Sequence, residues 1–473
     1  MATGWISLLA AESRASSPAE QEENALMPRA ASENKRTLGI GSGRIGDRGA
    51  GPSFEKKLAL YTLNCRKTAA LARAGERVVY FWMAAEALES LIGLRHELSD
   101  DEQLIQQAVR RFVRERYLPR AGKLFADEVF PRDLIPELAA LGVLGASIHG
   151  HGCAGMSPVQ YGLLLQELEY GDSGLRSFVS VQGSLAMYAI SAFGDEAQKE
   201  RFLPRMAHGE CIGCFGLTEP DSGSDPASMK THARRDGSDY VLSGTKMWIT
   251  NAPFADVAVV WAKVEGGAES ISGFLVERGM KGFETPRIEG KMSLRASETG
   301  EIVLDECRVP KENLLPGKRG LGAPLRCLNE ARFGIAWGAL GAAKACFDAA
   351  LAYTGERVQF GVPISDKQLV QAELVHMASE IAKGDLLAYH FGRMKQKQGK
   401  LLPEQVSLCK RNNVAVALDC ARRSRALLGA NGILLEYPAI RHMLNLESVY
   451  TYEGTHEIHT LVLGKALTGR SAF

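Results

Sequence analysis

Hydrophobic positions along this chain change period twice. From about residue 85 to 212 they recur at helical spacing. In "SDDEQLIQQAVRRFVRERYL", Ser99 reads as an N-cap, acids fill the first turn, and Leu104, Ile105, Val109, Phe112 and Val113 form a stripe. "VQYGLLLQELEYG" and "EAQKERFLPRMA" continue in the same way. At about 213 the period shortens. "YVLSGTKMWITNA", "VAVVWAKVE", "SGFLVERG" and "GEIVLDECRVP" are β-branched or aromatic runs between Gly, Asp and Asn, the pattern of strands and turns. From about 321 long helical runs return. The pattern predicts a mainly α chain with a β domain: an extension over 1–84, a helical domain over 85–212, a β domain over 213–320 and a helical bundle over 321–473.

Composition changes little in that picture. The 473 residues are 45% hydrophobic and 23% charged with net charge +1, which points to no nucleic-acid partner and no membrane surface. No run reads as the ~18 apolar residues of a membrane span. The nine cysteines are scattered, which fits a reducing compartment. The Cys211–Cys214 spacing falls in an apolar strand with no second pair, so both read as buried and unliganded. Residues 1 to about 82 carry no sustained periodicity and read as disordered or as lying upstream of the natural start. "GSGRIG", Gly41 to Gly46, matches a dinucleotide pattern but is not followed by a helix, so it reads as a chance match.

Candidate chemistry gathers near the C-terminus in "TYEGTHEIH", Thr451 to His459. Glu453 and His456 form a Glu-x-x-His quartet, and "ELVH" supplies a second at Glu373 and His376. Helical-bundle di-iron sites use such pairs. Gly454 inside the first quartet weakens the helix that would aim the ligands, and a metal would leave the β domain without a role. No metal is therefore expected. Glu453 could instead be a catalytic base, or the segment could be a polar helix start with no chemical role. Upstream, "CFGLTEPDSGSDPASM" runs a strand into a Gly/Ser loop whose amides and hydroxyls suit a phosphate or a polar ring edge. "KMWITNA" then offers the flat face of Trp248 beside the Thr250 hydroxyl.

In order, "CFGLTEPDSGSDP", "GTKMWITNA", "GKMSLRASETGEIVLDECRVPKENLL", "ARFGIAWGALGAA", "ERVQFGVPISDKQLVQ", "LLGANGI" and "TYEGTHEIHTLVLGKALTG" resemble the acyl-CoA dehydrogenase family over about residues 85–473, and its glutaryl branch in particular. The resemblance implies an N-terminal helical domain, a β-barrel-like domain and a C-terminal four-helix bundle around FAD. It implies that Glu453 removes the α-proton of an acyl thioester while the β-hydrogen leaves as hydride. It places FAD against Phe215, Leu217, Thr218, Gly223, Ser224, Trp248, Ile249, Thr250, Thr455 and Glu457. Arg357, Gln368, Leu428 and Gly429 would serve the flavin of a neighbouring subunit in a homotetramer. Ala430 stands where the family usually has glycine.

For the substrate, the resemblance assigns Arg176 with Glu169 to the distal carboxylate of glutaryl-CoA, an arginine fork being suited to bidentate pairing. Ser177, Ser180, Ser224, Leu325, Asn329, Arg332, Tyr452 and Gly454 would line the same pocket. Gly171 and Leu175 depart from the branch's usual Val and Tyr. The implied reaction is oxidation and decarboxylation to crotonyl-CoA, with electron-transfer flavoprotein as acceptor, in bacterial cytoplasm or the mitochondrial matrix. The alternatives are a short-chain or non-decarboxylating dehydrogenase, a di-iron bundle protein and a catalytically silent family member.

Overall fold

The computed structural model describes residues 88–264, 270–317 and 319–472. The extension expected over 1–84, with Gly41–Gly46, lies outside them. Helix α1 (Asp100–Phe112) begins at Ser99, whose hydroxyl accepts from the Glu102 amide while Glu102 reaches back to the Ser99 amide. Its inward stripe is narrower than its sequence implies. Val109, Phe112 and Val113 are buried and Ile105 is half-buried, but Leu104 is 67% exposed. Leu104 sits about 100° around the helix from Ile105, off the buried face. A π-helical turn, Val113–Tyr117, leads into α2 (Leu118–Asp127). The two-residue strands β1 (His149–Gly150) and β2 (Cys153–Ala154) form a hairpin inside the segment expected to be wholly helical. Then come α3 (Pro158–Gly171), α4 (Ser173–Ser180) and, before the sheet, α5 (Glu196–Ala207).

Seven strands make one sheet: β3 (Gly213–Gly216), β4 (His232–Asp236), β5 (Asp239–Thr250), β6 (Val257–Val264), β7 (Ile271–Glu277), β8 (Phe283–Glu284) and β9 (Thr299–Val309). Their order is β3-β6-β4-β5-β9-β8, with β7 on β6. The β5–β9 ladder slips between Lys246 and Ile249, a bulge that frees Met247 and Trp248 from pairing.

The C-terminal part is α6 (Gly322–Glu356), the small hairpin β10 (Val358–Gln359) and β11 (Val362–Pro363), α7 (Gln368–Gln398), α8 (Pro403–Leu427), α9 (Pro438–Thr451) and α10 (His456–Thr468). Helix α6 is the axis of the fold, packed on α3 on one side and α8 on another. Small residues permit this. A Cβ at Gly341 would sit 1.9 Å from the Gln166 carbonyl oxygen, and one at Gly334 would sit 2.4 Å from Leu165. Contrary to the reading of the bare sequence, α6 is long and apolar enough to cross a membrane by length and composition. Most of that stretch is buried inside the fold. Its Ala/Gly richness is what tight helix packing requires.

Candidate functional site

Helix α9 ends at Thr451 and α10 starts at His456, capped by the Thr455 hydroxyl, which accepts from the Ile458 amide at 3.2 Å. The link between them is Tyr452–Glu453–Gly454. Glu453 sits at φ 52° and Gly454 at φ 92°, a left-handed pair that turns the Glu453 side chain out of the helical path. Its Oε2 is enclosed without a hydrogen-bond partner. Burial raises the carboxyl to about 7, against the pull of Arg176, Arg332 and Lys410. A carboxylate in that state can take a proton near neutral pH.

Beside it lies a charge pair built from α3 and α4. The Asp172 carboxylate caps α4, accepting from the Gly174 amide at 2.7 Å, and takes Arg441 at 2.5 Å and Asn445 at 3.1 Å from α9. One turn on, Arg176 Nε donates to Glu169 Oε2 at 2.6 Å, and its Nη2 donates to the Tyr452 hydroxyl. Ser173 also donates to Glu169, at 2.8 Å. Arg176 is 1% exposed and Glu169 0%. Burial pushes the Tyr452 phenol to about 12, so its hydroxyl stays protonated and can donate as well as accept. Ser177 lies 3.5 Å from that hydroxyl, and Ser180 is buried one turn further along α4. The anchored guanidinium, phenol and hydroxyl form a site suited to a carboxylate.

Arg332, from α6, donates to the Glu453 carbonyl at 2.5 Å. Leu325 and Asn329 precede it at helical spacing and are half-buried with it. Two residues of this site were not singled out in the sequence. Gly338 passes directly over the charge pair, where a Cβ would lie 2.2 Å from Glu169 Oε2. Lys410 is 1% exposed in α8 and donates to the carbonyls of Tyr452 and Gly454. Its signal was present as a lysine on the stripe Val406, Cys409, Asn413, Val414 and Ala417, all buried.

The second cluster is in the β domain. Met247, freed by the bulge, donates to the Thr218 carbonyl at 2.9 Å, which ties the loop after β3 to the Trp248 turn. Trp248 takes φ 63° and is 56% exposed. Phe215, Leu217 and Ile249 are buried beneath, Thr218 and Thr250 are half-buried, and Gly223 and Ser224 are exposed. Underneath, Glu219 accepts from Lys246 at 2.8 Å and from the amides of Lys230 and Thr231. Burial drops the Lys246 ammonium to about 8 against the attraction of Glu219. That anchored loop, an exposed indole and paired hydroxyls fit a flat heteroaromatic ring with a polar tail.

The remaining expected flavin residues lie on the C-terminal helices and the turns between them. Arg357 and Gln368 are exposed on either side of the β10–β11 hairpin. Leu428 is buried, and the neighbouring Gly429 is exposed at φ 59°. Glu457 is exposed in the first turn of α10.

Glu373, His376 and His456 of the metal reading have other partners. Glu373 takes Arg423 at 2.5 Å, His376 pairs with Asp419 at 3.0 Å, and His456 stacks on Tyr450 at 4.4 Å. Among the described residues no three His, Cys, Asp or Glu side chains gather as a metal set.

Comparison with known proteins places this geometry. Residues 99–210, 214–307 and 318–468 match the N-terminal, middle and C-terminal domains of acyl-CoA dehydrogenases. Two crystal structures of glutaryl-CoA dehydrogenases from Mycobacterium smegmatis superpose with TM-score 0.80, each covering 82% of this chain and 99% of the other. They are 57% and 53% identical, and the second is a complex with FADH2. Glutaryl-CoA dehydrogenase of Desulfococcus multivorans is 35% identical over 77% of this chain and 96% of its own. The mitochondrial short-chain specific acyl-CoA dehydrogenase of Rattus norvegicus is 33% identical over 78% and 90%. Three consecutive domain matches and relatives at these identities lead to one conclusion: this chain belongs to the acyl-CoA dehydrogenase family and is an FAD-dependent enzyme.

Proposed function

We propose that the protein oxidises glutaryl-CoA at the α and β carbons and releases crotonyl-CoA and CO2. One observation carries this reading: the buried Arg176, held by Glu169 and Tyr452 next to Glu453. A plain acyl chain would bring an alkyl end to a desolvated guanidinium, which is costly, whereas a dicarboxylate brings a partner for it.

Glu453 takes the α-proton on its enclosed Oε2. FAD, when bound, supplies the acceptor for the β-hydrogen as hydride. Trp248, Thr218, Thr250 and the Gly223–Ser224 loop would hold it, with Phe215, Leu217, Ile249, Thr455 and Glu457 beside them. Arg357, Gln368, Leu428 and Gly429 would serve a neighbouring subunit's flavin in a homotetramer. On the substrate side, Ser177, Ser180 and Ser224, Leu325, Asn329 and Arg332 on α6, and Tyr452 and Gly454 would line the acyl pocket. As the α-proton leaves, charge gathers on the thioester oxygen, which needs hydrogen-bond donors. The α,β-unsaturated diacid ester then loses its γ-carboxylate as CO2, leaving a dienolate. Protonated Glu453 returns its proton to that dienolate, and crotonyl-CoA forms. Electrons would pass to electron-transfer flavoprotein, in bacterial cytoplasm or the mitochondrial matrix.

The rat relative favours a second reading, oxidation of a short unsubstituted acyl-CoA. One titration separates the two. The flavin absorbance of anaerobic holoenzyme should bleach on adding glutaryl-CoA and barely change with butyryl-CoA. Bleaching by butyryl-CoA alone would overturn the glutaryl assignment. Release of CO2 from carboxyl-labelled glutaryl-CoA tests the second half of the reaction, and its absence would mark a non-decarboxylating enzyme.

A further inference from the structure

Three successive backbone carbonyls around Glu453 are held by two cations, the half-buried Arg332 and the buried Lys410. Arg332 donates to the carbonyl of Glu453 itself at 2.5 Å. Lys410 donates to the carbonyls on either side, Tyr452 at 3.2 Å and Gly454 at 3.0 Å. The three carbonyls need outside donors because the segment lies between helices. Tyr452 is the C-cap of α9, and Thr455 already opens α10. Carbonyls at a helix C-terminus attract positive charge. A lysine reaching them from a neighbouring helix does more than cap. Among the described residues no carboxylate forms an ion pair with it, so its ammonium sits desolvated beneath the Glu453 loop.

We propose that Lys410 is a positioning residue for the base: it pins the Tyr452–Gly454 backbone so that Glu453 faces the acyl pocket, and it lends its positive charge to the Glu453 carboxylate. This rests on the reading of Glu453 as the base. Burial drops the Lys410 ammonium to about 7, and the Glu453 charge opposes that drop. The two groups therefore support one another's charged forms as burial disfavours both.

Every packed element contributes charges or dipoles here. Arg176 comes from α4, Arg332 from α6, and Tyr452 from the link itself. From α10, Glu457 and His456 lie near, and His459 is bound at Nδ1 to Ser407, 3.0 Å away and one turn before Lys410. Burial pushes the His459 imidazole down to about 3, so it stays neutral in the working range. Among these groups Lys410 spans the base with two hydrogen bonds, so its removal should be felt by the loop and the carboxylate together.

The test compares holoenzymes of Lys410→Met, Lys410→Gln, Glu453→Gln and wild type by kcat/KM from about pH 6 to 9. Flavin content and melting temperature are measured alongside. Lys410→Met should lower turnover about tenfold at neutral pH and move the acidic limb of the profile upward by about half a unit or more. Activity should partly recover at the alkaline end. Lys410→Gln keeps an N–H donor group but no charge, so the limb should move similarly with a smaller fall in turnover. If Lys410→Met does not retain flavin, Lys410→Gln alone decides the matter through the position of its acidic limb. A limb unmoved from wild type in the flavin-loaded variant overturns the proposal. Wild-type turnover in Glu453→Gln would instead remove the base assignment beneath it, so the two failures are distinguishable.

Discussion

The chain contains two Glu-x-x-His quartets, and the fold gives them opposite fates. In α7, Glu373 and His376 sit one turn apart on an open face, where Arg423 and Asp419 take them as partners. Between α9 and α10, Gly454 breaks the quartet out of the helix. His456 turns aside to stack on Tyr450, and Glu453 faces inward with an enclosed, unpartnered oxygen. One pair of letters is surface chemistry with its charges satisfied. The other is a carboxyl whose proton affinity has been raised to about 7. The difference in proton affinity comes from burial, not from the motif.

The sharpest way to break the comparison is to neutralise each glutamate in turn. Glu453→Gln should lose about 10²- to 10⁴-fold in turnover or more, since the amide cannot take the α-proton. Glu373→Gln should leave kcat within about twofold, as expected for a surface change. The first variant also tests the raised proton affinity. Between 4.5 and about 7 folded Glu453 holds a proton that the unfolded chain has lost, so stability falls as pH rises through that window. Glutamine carries no such penalty. At about pH 8, Glu453→Gln should melt above wild type by a few degrees at most, and a lower melting temperature would count against a desolvated carboxyl.

Next in size is Arg176→Ala. It removes a charged hydrogen-bond donor worth about 1.5–3 kcal/mol and leaves Glu169 buried without that partner. The drop in kcat/KM for glutaryl-CoA should be about tenfold or greater, while butyryl-CoA is spared. Equal losses on both substrates would make Arg176 structural. Gly338→Ala should act on the same pair from above. Its Cβ would meet Glu169 Oε2 at 2.2 Å, so a loss of about 1–3 kcal/mol in stability is expected from overpacking. Glutaryl-CoA selectivity should fall with it, checked by thermal melting and paired substrate assays. The smallest effect belongs to His376→Ala, which gives up a half-exposed pair with Asp419. Stability should change by less than about 1 kcal/mol, and neither it nor a chelator should alter turnover.

Much of the architecture was legible because local spacing reports which face is buried. The Ser99 cap, the strands of the sheet and the long C-terminal helices could be read before any contact was known. So could the pairing of Glu169 with Arg176, seven residues apart on consecutive helices, though only through a family resemblance. Leu104 was misread because a stripe shows direction but not its edge. Helix α6 was misjudged in another way. Its small residues disguise an 18-residue stretch that is apolar enough for a membrane and that the fold mostly buries.

The sequence by itself determined the periods, the caps and the left-handed turn that Gly454 permits. Tertiary structure decided which partners each of the two Glu-x-x-His quartets would meet. It also brought Lys410 to the Glu453 loop from 43 positions upstream and laid Gly338 over the Arg176–Glu169 pair. The physical reason is that proton affinity and charge pairing depend on the solvent and donors around an atom. Those surroundings are assembled from α3, α4, α6, α8 and the link before α10, whose spacing along the chain carries no record of their meeting.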